Sequence, residues 1–194
     1  MTPDDFNAAF DKFKVSAFRL ECLQTYAVSD ENPRLRAFRE GLPRPERSVR
    51  TSPWLRRIAA TTIDGKAWTR VRLVRHPLTE YTRYELIGFA ESQTAGEQIR
   101  IVDLNRHPEL SDLGPDFWLF DAGQPGELAI VMRYEAGSVL GYEYTTDIGW
   151  CCDQYDDAMA GSISLAEYVA QRCNEGAEVP PDHWTGVSPR NTDT

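Results

Sequence analysis

Two consecutive stretches share one layout, and that layout narrows the folds open to this chain. In "PWLRRIAATTIDGKAWTRVRLV", Pro53 opens a helix, Gly65 ends the connection and a strand follows at 68–74. Proline suits the first helical turn, where its missing N–H costs nothing. In "TEYTRYELIGFAESQTAGEQIRIV", Thr79 is the expected N-cap, Gly96 the expected stop, and the next strand runs over 98–102. A strand that returns through a helix to a second strand lies parallel to it, with a right-handed crossover. Parallel strands need cover, so helices must pack against the sheet.

The flanks complete the architecture. Phe6, Phe10, Phe13 and Ala17 recur at helical spacing behind Asp4 and Asp5, which favour a helix N-terminus, and 18–23 reads as a short strand. Residues 29–52 are polar, rich in arginine and broken by Pro33, Pro43 and Pro45. They read as a surface loop with a short helix near 35–40, ended by Gly41, and a loop of that length is either functional or mobile. After Pro115 the pattern changes. "DFWLFD" is a short aromatic strand ended by Asp121, and "ELAIVMRYEAGSVLGYEYTTD" is a hairpin turning at Ala136-Gly137. Residues 152–173 suggest one last helix with Ser164 as an N-cap. The expectation is a single α/β domain over 1–173, with α+β as the alternative class. Its mixed sheet has a parallel βαβ core, a C-terminal antiparallel hairpin and helices packed on it. The tail, 174–194, is rich in Pro, Asp, Thr and Gly and is expected to be disordered or loosely attached.

Composition excludes several classes. At 194 residues, with 41% apolar and 26% charged content, the chain fits one ordinary globular domain that needs no disulfide or metal to fold. Its longest apolar runs are a few residues, too short for a membrane helix. The start, MTPDDF, lacks the basic and apolar regions of a signal peptide, so a cytoplasmic location is expected. Cys22, Cys151, Cys152 and Cys173 show no C-x-x-C spacing and read as reduced thiols. Charge is the more pointed signal. Residues 34–75 hold twelve Arg and Lys against Glu40, Glu46 and Asp64, a net of +9, which leaves the other 152 residues at −18. Such a split implies either attraction between the two parts or a basic face for an anionic partner. A strongly acidic remainder opposes direct nucleic-acid binding. A nucleotide, a phosphorylated metabolite or an acidic protein surface fits better.

Parallel strands gather ligands at their carboxyl ends. There the strand ending at Val74 delivers Arg75 and His76, and the strand ending at Val102 delivers Asp103. Thr79 caps the following helix, whose free N–H groups suit an anion. Arg75, His76, Thr79, Glu80, Arg83 and Asp103 are thus candidates to converge, with Asp121 joining from the next strand. Plain structural roles exist for the same residues. Glu80 and Arg83 fit a surface ion pair at i, i+3, His76 fits a turn before proline, and Asp116 and Asp121 fit turn caps. Tyr81, Tyr84, Ile87, Phe89 and Trp118 fit core volume. No G-x-S-x-G, P-loop or Rossmann glycine pattern occurs. His76, His107 and His183 have no metal-ligand spacing. No catalytic residue, metal or cofactor is therefore assigned.

"AFRLECLQTYAV", "SPWLRRIAATT", "RVRLVRHPLTEYTRYEL", "AGEQIRIVD", "PDFWLFD" and "VMRYEAGSVLGYE", in this order over about 6–145, resemble an actinobacterial family known only as a domain of unknown function. The resemblance implies an actinobacterial cytoplasmic protein, often encoded near helix-turn-helix regulators, and with it a role in regulation. The order of elements is also loosely similar to phospholipase D-like domains. That family's catalytic motif needs a His and a Lys two apart shortly before an Asp. This chain has Gly114, Pro115 and Asp116 before Asp121, so only a binding module of the degenerate kind is implied. Two functions follow as expectations. One is a non-enzymatic regulatory or interaction module that binds a protein partner or a small anionic ligand. The other is an enzyme on an anionic substrate, with Glu80 or Asp103 as base and Arg75 or Arg83 as clamp.

Overall fold

A computed structural model describes residues 1–176. The elements, in chain order, are α1 (Pro3–Lys12), β1 (Ser16–Glu21), α2 (Asn32–Arg39), α3 (Pro53–Ile63), β2 (Ala67–Val74), α4 (Glu80–Thr94) and β3 (Glu97–Asp103). They continue with β4 (Phe117–Phe120), β5 (Leu128–Glu135), β6 (Ser138–Tyr144), α5 (Ile148–Gly161), β7 (Ile163–Ser164) and α6 (Leu165–Asn174). The sheet runs β6-β5-β4-β1-β2-β3-β7. Strands β1, β2 and β3 are parallel, and every other pairing is antiparallel. This is the expected mixed α/β sheet with a parallel core and a C-terminal hairpin.

Alternation along the strands divides the sheet into two faces. Ala17, Trp68, Trp118, Phe120 and Ile130 look one way, into a core with Phe10 of α1 and Leu55 and Ile58 of α3. Val74, Ile99 and Ile101 continue that face under Leu86 and Phe89 of α4 and Tyr168 of α6. Phe18, Leu20, Val71, Leu73 and Val102 look the other way and are covered by Cys151 and Ala158 of α5. Local chemistry starts the helices. Pro53 sits in the first turn of α3, the Thr79 hydroxyl accepts from Thr82 N–H to cap α4, and Ser164 and Glu167 form a capping box on α6. At the hairpin, Ala136 and Gly137 both have positive φ, 47° and 82°, as a tight primed turn requires.

Four expectations shift. Ala17 lies in β1, not on the first helix, because the Asp121 carboxylate takes the N–H groups of Lys14, Val15 and Ser16 and draws the chain out extended. The strand expected at 18–23 is therefore β1 at Ser16–Glu21. Residues 152–173 form two helices, since Ser162 leaves helical geometry and Ile163 and Ser164 pair with β3 as β7. The short helix expected near 35–40 is present as α2 but starts earlier, at Asn32, and the rest of the expected surface loop is tied to the domain along 40–52. The tail from 177 onward lies outside the described residues, and Asn174 closes α6.

Candidate functional site

The turn after β2 holds part of the expected cluster. His76 Nε2 lies 3.2 Å from Asp103 Oδ2 and 3.2 Å from the Tyr168 hydroxyl. Asn105 Oδ1 accepts from His76 N–H at 2.8 Å, and the Gln24 side-chain oxygen accepts from Arg75 N–H at 2.9 Å. The Thr79 hydroxyl donates to Gln24 C=O at 2.7 Å. The turn is thus fixed to β3, to α6 and to the segment after β1. Arg75, Glu80 and Arg83 are exposed around it. Glu80 pairs with Arg39 at 2.5 Å, and both side chains are about half exposed, 47% and 55%. Asp121 lies at the other end of the sheet. Strand β4 runs antiparallel to β1, so Asp121 meets the start of β1, not its carboxyl end. Burial pushes its carboxyl up, but the donors Val15, Ser16 and Lys14 hold it below the usual aspartate value. The turn therefore brings His76 and Asp103 together, with Tyr168 as a member that sequence reasoning missed, while Thr79 bonds to Gln24 C=O and caps α4.

A larger group lies buried on the α4 face. Arg19 is the register partner of Arg70, and Glu21 of Arg72. Two guanidiniums side by side repel unless carboxylates stand between them. Glu21 contacts both Arg19 and Arg70, Glu97 binds Arg70 at 2.8 Å, Glu85 binds Arg72 at 2.8 Å, and Asp116 binds Arg19 at 2.9 Å. Asp116 also accepts from the Tyr26 hydroxyl at 2.6 Å and from Cys22 N–H at 2.8 Å. Aromatic rings stack over the cations, Trp118 on Arg19, Phe89 on Arg70 and Tyr26 on Arg72. Burial alone would push these guanidiniums down, but their carboxylate partners raise all three above the usual arginine value. Burial pushes the Glu85 carboxyl up to about 8, against the pull of Arg72. The signal was present in the sequence. Arg19-x-Glu21 and Arg70-x-Arg72 place charges two apart, on one face of strands whose other face is apolar.

A third group lies where residues 40–52 cross α4. Arg34 of α2 donates to the Pro45 carbonyl and, at 2.5 and 2.7 Å, to both oxygens of Glu91. Arg44 and Arg47 approach the same carboxylate at 3.7 and 3.6 Å, and Arg47 also donates to Gly88 C=O and the Ser92 hydroxyl. Three guanidiniums thus share one carboxylate. Beside them is an open cavity of about 530 Å³, lined by Gly41, Leu42, Pro43, Arg44, Pro45, Glu46, Arg47 and Glu91. Arg34 Nε and Arg44 Nη1 are buried without a hydrogen-bond partner. Burial lowers Arg44 and Arg47 below the usual arginine value, against the attraction of Glu91.

The chemistry open to these groups differs. An imidazole against a carboxylate can share a proton, the buried layer is an ion-pair lattice, and the arginine cavity sets guanidiniums, a group that pairs with carboxylates and phosphates, beside open space. The four cysteines are free thiols, and burial pushes Cys151 up to about 11, which makes it a poor nucleophile. Among the described residues no three His, Cys, Asp or Glu side chains are grouped to hold a metal ion. None of the described helices is long and apolar enough to cross a membrane. Neither a curated protein nor a solved structure matches the chain. A family model does match, over residues 4–170, which spans the sheet, the turn, the buried layer and the arginine cavity. The chain belongs to that family, DUF6879, a domain of unknown function.

Proposed function

We propose that the chain is a non-enzymatic regulatory or interaction module whose basic segment, 34–75, receives an anionic group from a small ligand or an acidic protein surface. One observation carries this reading: Arg34, Arg44 and Arg47 converge on the single carboxylate of Glu91 beside an open cavity. The local charge is unbalanced toward the cation, and partly buried guanidiniums bind carboxylates and phosphates with defined geometry. Glu80, the candidate base, supports the same reading because it stands on an open surface against Arg39. A protein partner of this module would present acidic residues, and a helix-turn-helix regulator with an acidic face is one such candidate.

A second reading keeps the enzyme, with His76 and Asp103 as an acid–base pair on an anionic substrate. It draws on their 3.2 Å contact. The same contact also serves to hold a proline turn against β3 and α6, and the exposed Arg75 and Arg83 bring it no built anion pocket. The test is a melting-temperature survey with phosphate, phosphorylated metabolites, dicarboxylates and polyglutamate. The module reading expects at least one anion class to stabilise the chain through mass action. The absence of any shift across the panel would sink it. Turnover of a panel compound that His76→Ala removes would favour the enzyme instead.

A further inference from the structure

We infer that the arginine cavity is a receptor for a phosphomonoester dianion carrying a small apolar group, a proposal that rests on the anion-binding reading above and names its ligand class. The charge argument comes first. Arg34, Arg44 and Arg47 share the one carboxylate of Glu91, an excess of two positive charges, while Glu46, which also lines the cavity, is paired with Arg50. A phosphomonoester near neutral pH carries up to two negative charges, whereas a carboxylate brings one. A donor is also left over. Arg44, which lines the cavity, has a buried Nη1 with no hydrogen bond and with Glu91 only at 3.7 Å. A buried guanidinium N–H without an acceptor is costly, so an arriving oxygen that accepts from it gains free energy. Glu91 cannot satisfy all three guanidiniums, because Arg34 occupies both of its oxygens at 2.5 and 2.7 Å and leaves Arg44 and Arg47 at 3.7 and 3.6 Å.

Shape decides between a bare ion and an organic ester. The cavity of about 530 Å³ falls inside the range typical of small-molecule sites, roughly 300–1,000 Å³, and exceeds what one phosphate fills. Leu42, Pro43 and Pro45 give the cavity apolar lining, interleaved along the chain with Arg44, Glu46 and Arg47 and joined by Glu91. That mixed lining suits a ligand that carries both a phosphate and a hydrophobic ring or chain. The proline-rich course of 41–47 also lowers the conformational cost of holding the lining in place.

The test is a calorimetric titration of the full chain with phenyl phosphate, inorganic phosphate, benzoate and polyglutamate. Phenyl phosphate should bind, and should bind more tightly than inorganic phosphate or benzoate. Arg44→Gln should weaken it by about tenfold or more, as loss of a charge-assisted contact requires. Glu91→Gln should tighten it, because a competing negative charge is removed. Melting curves confirm that each variant is folded. If phenyl phosphate does not bind the unmodified chain, or binds no better than benzoate, the inference is overturned. If polyglutamate binds while phenyl phosphate does not, the ligand class is wrong and the broader anion-binding reading stands. If nothing on the list binds, both fall. Equal binding of phenyl and inorganic phosphate would overturn the role of the apolar lining and with it this proposal.

Discussion

Asp116 shows what single side chains do in this molecule. Its carboxylate receives the buried Arg19 guanidinium and Tyr26 hydroxyl and the half-buried Cys22 N–H. Asp116→Ala takes from the buried Arg19 cation its nearer carboxylate and leaves only Glu21 at 3.4 Å, shared with Arg70, which costs about 3 kcal/mol. Urea unfolding should report that loss, and a change under about 1 kcal/mol would contradict the assigned role. Glu85 gives a pH signature. Burial raises its carboxyl from 4.5 to about 8 in the folded chain. The folded state therefore holds a proton that the unfolded state releases. The stability this confers is full below 4.5 and is lost as pH rises through about 8. Glu85→Gln keeps an acceptor for Arg72 but cannot titrate. It should flatten the decline in unfolding free energy that the unmodified chain shows from pH about 5 to about 8.5. An equal decline in both proteins would assign the effect to other groups, with Glu31, also raised by burial, the first of them.

Elements were legible where a local rule set them. Pro53, Thr79 and Ser164 sit at helix starts and Ala136-Gly137 at the hairpin turn, each for reasons confined to a few residues. The sequence hid what depends on distant partners. The end of α1 is set by Asp121, more than a hundred residues away, and β7 is only two residues that pair with β3. Segment 40–52 read as a surface loop, functional or mobile, because what ties it down is distant in sequence: Arg34, which donates to the Pro45 carbonyl, is itself held by Glu91, 57 residues further on. Arg34→Ala should release it, and hydrogen exchange at amides of 44–52 should quicken by about tenfold or more while the core strands keep their protection. Unchanged exchange there would show that Pro43 and Pro45 alone hold the segment. The hairpin tip has a similar long-range role. Gly137 has φ 82°, and its carbonyl accepts from Ala27 N–H at 2.9 Å. A Cβ added there would stand 3.1 Å from Thr25 O and 3.2 Å from Ala27 N. Gly137→Ala should cost about 1–3 kcal/mol in thermal or urea unfolding. A neutral outcome would mean that the 25–27 segment yields freely.

At the scale of the whole molecule, charge has been sorted between interior and surface. The segment 34–75 was marked as basic by composition alone. Its arginines do three different things: Arg70 and Arg72 enter the buried layer, Arg34, Arg44 and Arg47 converge on Glu91, and Arg39 meets Glu80 at the surface. Composition marked the basic segment, and the expected parallel strands placed the candidate residues at the turn of His76. The convergence by the cavity depends on how α2 and α4 pack, which no local pattern encodes. The sequence also suggested one site, whereas Asp121 lies at the opposite end of the sheet because β4 is antiparallel.

The central claim is that an anion binds at Arg44 and Arg47 and not at the turn. The direct measurement is the melting temperature in phosphate against chloride at matched ionic strength, for the unmodified chain, Arg44→Gln/Arg47→Gln and Arg75→Ala/Arg83→Ala. Phosphate should raise it in the unmodified chain and in the turn variant, by an amount that grows with concentration as site binding requires, and should leave the cavity variant unmoved. A rise that survives in Arg44→Gln/Arg47→Gln but vanishes in Arg75→Ala/Arg83→Ala would contradict the account and return the site to the turn.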